Sequence, residues 1–113
     1  MPPKKNPLGL NPLQLKTLTL VQELARVAGN PVEGEPGAVA VGRMPHPHGN
    51  HFHLGDAVVA SKDATGLSNP AVWTALERKG LVHSGSPMGC VVTPEGLDYD
   101  TGLRDAILHR SDH

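Results

Sequence analysis

Aromatic side chains are scarce. Phe52, Trp73 and Tyr99 are the whole complement in 113 residues, so any core must be assembled mainly from Leu, Val and Ala. Cysteine is nearly absent. With Cys90 alone, neither an intramolecular disulfide nor a thiolate zinc cluster can form, which suits a reducing cytosol and leaves Cys90 to be read as a small buried hydrophobe. Long apolar runs are missing too: a stretch such as residues 57–60 falls far short of the roughly 20 residues of a membrane helix, so no membrane partner is expected. Nor is there an excess of positive charge. Ten Lys and Arg stand against eleven Asp and Glu, a formal −1, which argues against a purely electrostatic nucleic-acid binder. Lys4 and Lys5 are followed by Pro7 and Gly9 in place of an apolar signal core, and a cytoplasmic location is the expectation. The sequence contains no phosphate-binding glycine loop, no nucleophile elbow and no paired carboxylates in an apolar setting, so the protein is not expected to be an enzyme.

The length suits one domain, read as residues 11–113 preceded by a flexible Pro- and Gly-rich arm at 1–10. Asn11 is a helix cap, Pro12 fits the first helical position, and Leu13, Leu15, Leu18, Leu20, Val21, Leu24, Ala25 and Val27 recur up to Gly29. These apolar positions cover more than one face. Either a homodimer contact or a central place in the core accounts for that. Residues 30–37 read as an exposed loop and 38–41 as a short strand. Residues 56–65 carry Val58 and Val59, which favour a strand, and Asp56, which suits a helix cap; a short helix is the reading adopted.

The second half has sharper punctuation. Residues 65–68 form a turn, Pro70 sits in a first helical turn, Val72, Trp73 and Leu76 recur at helical spacing, and Gly80 stops the helix. Two strands at 81–83 and 90–93 flank a turn-rich tip, and Thr93-Pro94-Glu95 opens a further helix. Leu97, Leu103, Ile107 and Leu108 give the tail something to bury. Asp98, Asp100 and Asp105 read as a solvated face, and His109 and His113 as part of a frayed end.

This succession, carried by Gly66-Leu67-Ser68, Val72, residues 75–82 and residues 91–96, resembles the winged helix-turn-helix domain of bacterial transcriptional regulators over residues 66–97. The resemblance implies a helix lying in the major groove and a wing touching the backbone. By position it implies that Ser68, Asn69, Thr74 and Arg78 face DNA, with Ser84 and Ser86 at the wing tip. Residues 61–113 hold five Lys and Arg against seven Asp and Glu, so phosphate neutralisation would be weak.

The most unusual chemistry lies outside that stretch. Residues 46–53 contain four of the seven histidines: His46, His48, His51 and His53. Gly49-Asn50 suits a two-residue hairpin turn, which would pair His48 with His51 and His46 with His53. All four imidazoles would then project to one side, with Pro45, Pro47, Phe52 and Leu54 on the other. Such a row can share a zinc, nickel or copper ion; without a ligand it is a solvated hairpin that titrates near neutral pH. His46-x-His48-x-Asn50-His51 also resembles the metal motif of metallo-β-lactamase-type hydrolases, from which it departs at Asn50.

The fold expected is therefore α+β, a winged helix-turn-helix-like single domain with a small β-hairpin wing and an extra His-rich hairpin. The expected role is a DNA-binding regulator, acting as a homodimer, with the histidines as a metal or pH input. A winged-helix module that binds protein through Trp73, Met88 or the wing is the alternative, and a metal-dependent hydrolase a third.

Overall fold

Asn11 opens the first helix by a reciprocal capping box. Its Oδ1 accepts from the Gln14 N–H at 2.8 Å, while Gln14 Oε1 accepts from the Asn11 N–H at 3.0 Å. In the computed structural model, which describes residues 8–42, 51–54, 57–86 and 89–110, this helix is α1 (Pro12–Ala28). It is followed by β1 (Asn30–Pro31), β2 (Val39–Val41), β3 (His51–Leu54), β4 (Ala57–Ala60) and two pieces of 3-10 helix, Ser61–Asp63 and Thr65–Ser68. Then come α2 (Pro70–Arg78), β5 (Val82–Ser86), β6 (Gly89–Val92), α3 (Pro94–Asp98), α4 (Arg104–Ile107) and β7 (His109–Arg110).

The strands form two antiparallel sheets, ordered β1-β2-β6-β5 and β3-β4-β7. In the first, Val39 pairs with Val92 and Val41 with Cys90, so a strand from early in the chain is stitched to the second strand of the late hairpin. The expected α+β class is the one observed. α1 lies at the centre of the core: Leu18, Leu20 and Val21 are at most 1 per cent exposed, and Thr17 and Thr19 are equally covered. The two threonines are tolerated there because their hydroxyls donate to the Leu13 and Leu15 carbonyls, at 2.9 and 2.8 Å. Burial on two sides is thus met inside one chain, and the apolar pattern of α1 needs no second copy to explain it. Leu10 joins the same core, and the Leu8 N–H donates to the Tyr99 hydroxyl at 3.0 Å, so packed structure begins ahead of Asn11.

Residues 57–60 differ from the short helix expected over 56–65, of which a 3-10 turn at Ser61–Asp63 is the helical part. Val58 and Val59 belong to β4, which pairs with β3 on one edge and β7 on the other. β-Branched side chains already favour the strand, and two rows of ladder bonds with Val59 wholly buried outweigh any cap that Asp56 could offer. The chain then tightens into 3-10 turns, tied to α1 by a 2.9 Å ion pair between Lys16 and the mostly buried Asp63. The tail differs as well: Ala57 pairs with Arg110 and Val58 with His109, so His109, expected in a frayed end, belongs to a strand, while His113 lies outside the described residues.

α2 ends as its sequence requires. The Gly80 N–H donates to the Glu77 carbonyl and the Leu81 N–H to the Leu76 carbonyl, both at 3.0 Å, with Gly80 at φ +76° and Leu76 and Leu81 buried together. The hairpin that follows is locked to the next helix at Thr93. Its N–H donates to the Leu81 carbonyl at 3.1 Å, its hydroxyl donates to the Gly80 carbonyl at 2.7 Å, and its Oγ1 accepts from the Gly96 N–H at 2.9 Å. Gly96 sits so close to this junction that a Cβ would run into the Leu81 carbonyl, a backbone atom with no rotamer to yield. Gly96→Ala is therefore expected to lower unfolding stability by about 1–3 kcal/mol, read as a drop in the urea midpoint.

Candidate nucleic-acid interface and histidine pair

α2 buries Val72 and Leu76 and turns Thr74, Glu77, Arg78 and Lys79 outward. Thr74 and Arg78 stand four residues apart and share one exposed face. Asn69 is the cap: its Oδ1 accepts from the Ala71 N–H at 3.0 Å. Its amide nitrogen is then the group it can offer a phosphate. Trp73 is half-buried against the core, and its indole N–H donates to the Leu67 carbonyl at 2.9 Å, which pins the start of α2 to the preceding 3-10 turn. Ser84 and Ser86 lie on β5, Ser84 within an irregularity in its pairing between His83 and Ser86 and Ser86 at its far side, opposite Gly89. Ser68, Ser84 and Ser86 are described in backbone alone. Met88 lies outside the described residues.

Of the four histidines singled out by their density, His51 and His53 are brought together on β3. Their Nε2 atoms stand 3.2 Å apart, and the rings meet edge to face with centroids 4.9 Å apart. They share one face of the strand, as expected, while Leu54 points into the core. The partner strand on the described edge is β4, with His51 opposite Ala60 and His53 opposite Val58. His46, His48 and the expected turn at Gly49-Asn50 lie outside the described residues.

One cluster carried only half a signal in the sequence. Glu23 is buried to 3 per cent side-chain exposure and is held by Arg26, one turn along α1, and by Arg104 of α4, whose Nη1 donates to Oε1 at 2.7 Å. The Glu23 and Arg26 pair is legible as a three-residue helical spacing; Arg104, 81 residues away, is not. The hydrogen bond from Arg26 and then that from Arg104 keep the Glu23 carboxyl below its ordinary pKa, against the upward push of burial. Beside it lies a cleft of about 620 Å³ bordered by Gln22, Val39, Leu97 and Tyr99. Gln22 closes its floor by donating to the carbonyls of Gly96 and Tyr99 at 2.7 and 2.8 Å. The Cys90 thiol is buried, which pushes its pKa up to about 11 and keeps it a thiol at neutral pH.

Among the described residues, no set of three or more His, Cys, Asp or Glu side chains converges, and no helix is long and apolar enough to cross a membrane. No family model, curated protein or solved structure matches this chain.

The Glu23 cluster makes stability pH-dependent in a definite direction. Folding favours the ionised carboxylate, so the stabilisation is in place above the unfolded value of about 4.3 and fades as the pH falls through the lower folded value. Both arginines are more than half exposed, which weakens the pairing through solvent screening. Glu23→Gln should cost about 1–2 kcal/mol at pH 7, and the gap from the parent protein should narrow progressively in paired denaturation curves as the pH falls below the unfolded value.

Proposed function

We propose that this chain is a small winged-helix-like DNA-binding regulator, with α2 directed at the major groove and the β5–β6 hairpin at the adjoining backbone. The observation that carries the reading is the outward Thr74 and Arg78 face of α2, leading through a closed Gly80 cap straight into a hairpin braced by β2. A helix and wing held in fixed relation suit a rigid, grooved surface such as duplex DNA. Asn69 at the helix start and Ser68 beside it provide the polar groups such an end offers a phosphate, and Ser84 and Ser86 do the same on β5. Arg78 and Lys79 outnumber Glu77 among the exposed residues at the end of α2, although the chain as a whole is formally −1. Two such surfaces on a homodimer double the contacts and read a two-fold site. The charge balance is also what favours the second reading, in which the same surface meets a protein partner. Trp73 is a poor anchor for that, because its ring packs against the core and its N–H is taken by Leu67.

With Arg78 and Lys79 each neutralising one phosphate, log affinity for duplex DNA should fall with log salt at a slope near −2 per chain. Arg78→Ala should weaken binding about five- to tenfold and flatten the slope by about 1. Fluorescence anisotropy on a library of genomic fragments between 50 and 200 mM salt measures both. No binding at the low-salt end would overturn the DNA reading and transfer the surface to a protein partner.

A further inference from the structure

The strand that carries His51 and His53 is held in place for reasons unrelated to the histidines. β3 pairs with β4 along its whole length, from His51 with Ala60 to Leu54 with Ala57. Leu54 is 3 per cent exposed and anchors the strand in the core. Alternation then sends positions 51 and 53 to the opposite face, where His51 is half-buried and His53 is exposed. A two-residue spacing along a strand separates the backbones widely, yet these imidazoles lean together until their Nε2 atoms are 3.2 Å apart.

That separation matches a chelate. Two imidazole nitrogens, each about 2.0–2.1 Å from a shared ion, stand about 2.9 Å apart at a right angle and about 3.4 Å apart at the tetrahedral angle. The observed value lies between the two limits. We propose that His51 and His53 form a two-imidazole site for one divalent transition-metal ion, with zinc, nickel and copper the chemically suited ions. Each ring binds through Nε2, which requires its remaining proton on Nδ1. Among the described residues no set of three or more His, Cys, Asp or Glu side chains converges, so within them the pair is the whole of the proposed donor set. The same distance suits a hydrogen bond between two neutral imidazoles, and the experiment separates these cases. The site stands apart from the DNA reading: it belongs to the three-stranded sheet, and its test needs no DNA.

Protein made without a histidine tag and stripped with chelator is titrated with Zn²⁺, following the imidazole ¹⁵N resonances and the heat of binding. The Nε2 signals of His51 and His53 should move together and saturate at one ion per chain. His51→Ala and His53→Ala should each weaken that binding by at least about tenfold, the lower end of what losing even an outer-sphere partner costs. His83→Ala, on the other sheet, should leave it unchanged. Zn²⁺ that leaves both Nε2 signals in place, or that binds His51→Ala as tightly as the parent, would show that the pair is only a hydrogen bond. The resonances of the unmutated protein decide the matter even if a variant folds poorly.

Discussion

Everything in this fold is arranged around the two-sided burial of α1. A chain of 113 residues with three aromatic side chains has little large apolar volume to spend, and Leu18, Leu20, Val21 and Leu24 make up a substantial share of the core. Once such a helix is covered on more than one face, every other element must come to it. β2 and β6 pack on it from the four-stranded sheet, β3 from the three-stranded sheet, and α2 and the 3-10 turns along its remaining flank. The polar positions of the helix are absorbed in the same way. Thr17 and Thr19 bond back to the helix, the Thr19 hydroxyl also lies 2.6 Å from that of Thr101, and Gln22 holds the carbonyls after α3. Glu23 draws α4 in through Arg104. Late segments of the chain are thus fastened to the first helix by bonds that satisfy the helix itself.

The second fixed point is the junction between α2, the hairpin and α3. Leu81 serves three elements at once: its N–H closes the end of α2, its side chain is buried with Leu76, and its carbonyl accepts from the Thr93 N–H. A helix capped in this way cannot swing independently of the strand that follows, because the capping bonds and the strand start are the same residues. The outward face of α2 and the hairpin therefore form one rigid surface, whatever it meets. Bracing of β6 by β2 adds to this, since it ties the hairpin to the strand that leaves α1.

Local chemistry made much of this legible in the sequence. Asn11-Pro12, Gly80 and Thr93-Pro94 mark helix ends through groups within four residues of one another, and each acts as read. The antiparallel pair expected at 81–83 and 90–93 follows from its turn-rich middle and is found as β5 and β6, and the shared face of His51 and His53 follows from strand alternation, again local rules. What escaped was set at long range. Residues 57–60 become a strand because β3 and the returning tail both pair with them, and neither partner is visible in that window. The expected helix at 56–65 rested on a single cap residue, and two ladders outweigh one cap. Ile107 is buried, as its place among the tail's apolar residues implies, but the last residues read as frayed for want of a visible partner, and His109 and Arg110 instead pair with β4. Arg104 likewise finds Glu23 across 81 residues, a pairing that charge pattern alone does not disclose.

The two candidate sites lie on different sheets but are separated by a short stretch of chain. From β4 the backbone passes through the 3-10 turns directly into α2, and that passage is pinned at both ends, by Lys16 to Asp63 and by the Trp73 indole to the Leu67 carbonyl. Coupling between a metal on β3 and the face of α2 would need an element with two arrangements that each site favours differently. The pinned turns are the only covalent route of that length, and Val59, Leu54 and Ala64 are buried along it. Packing of that kind resists small displacements, because core side chains occupy discrete arrangements and do not slide continuously. A disturbance at β3 would therefore reach α2 only by breaking the Asp63 or Leu67 contact, an event large enough to register as lost protection at residues 61–69. Without such a break the two regions remain independent, with His51 and His53 on the three-stranded sheet and the β5–β6 hairpin on the four-stranded one.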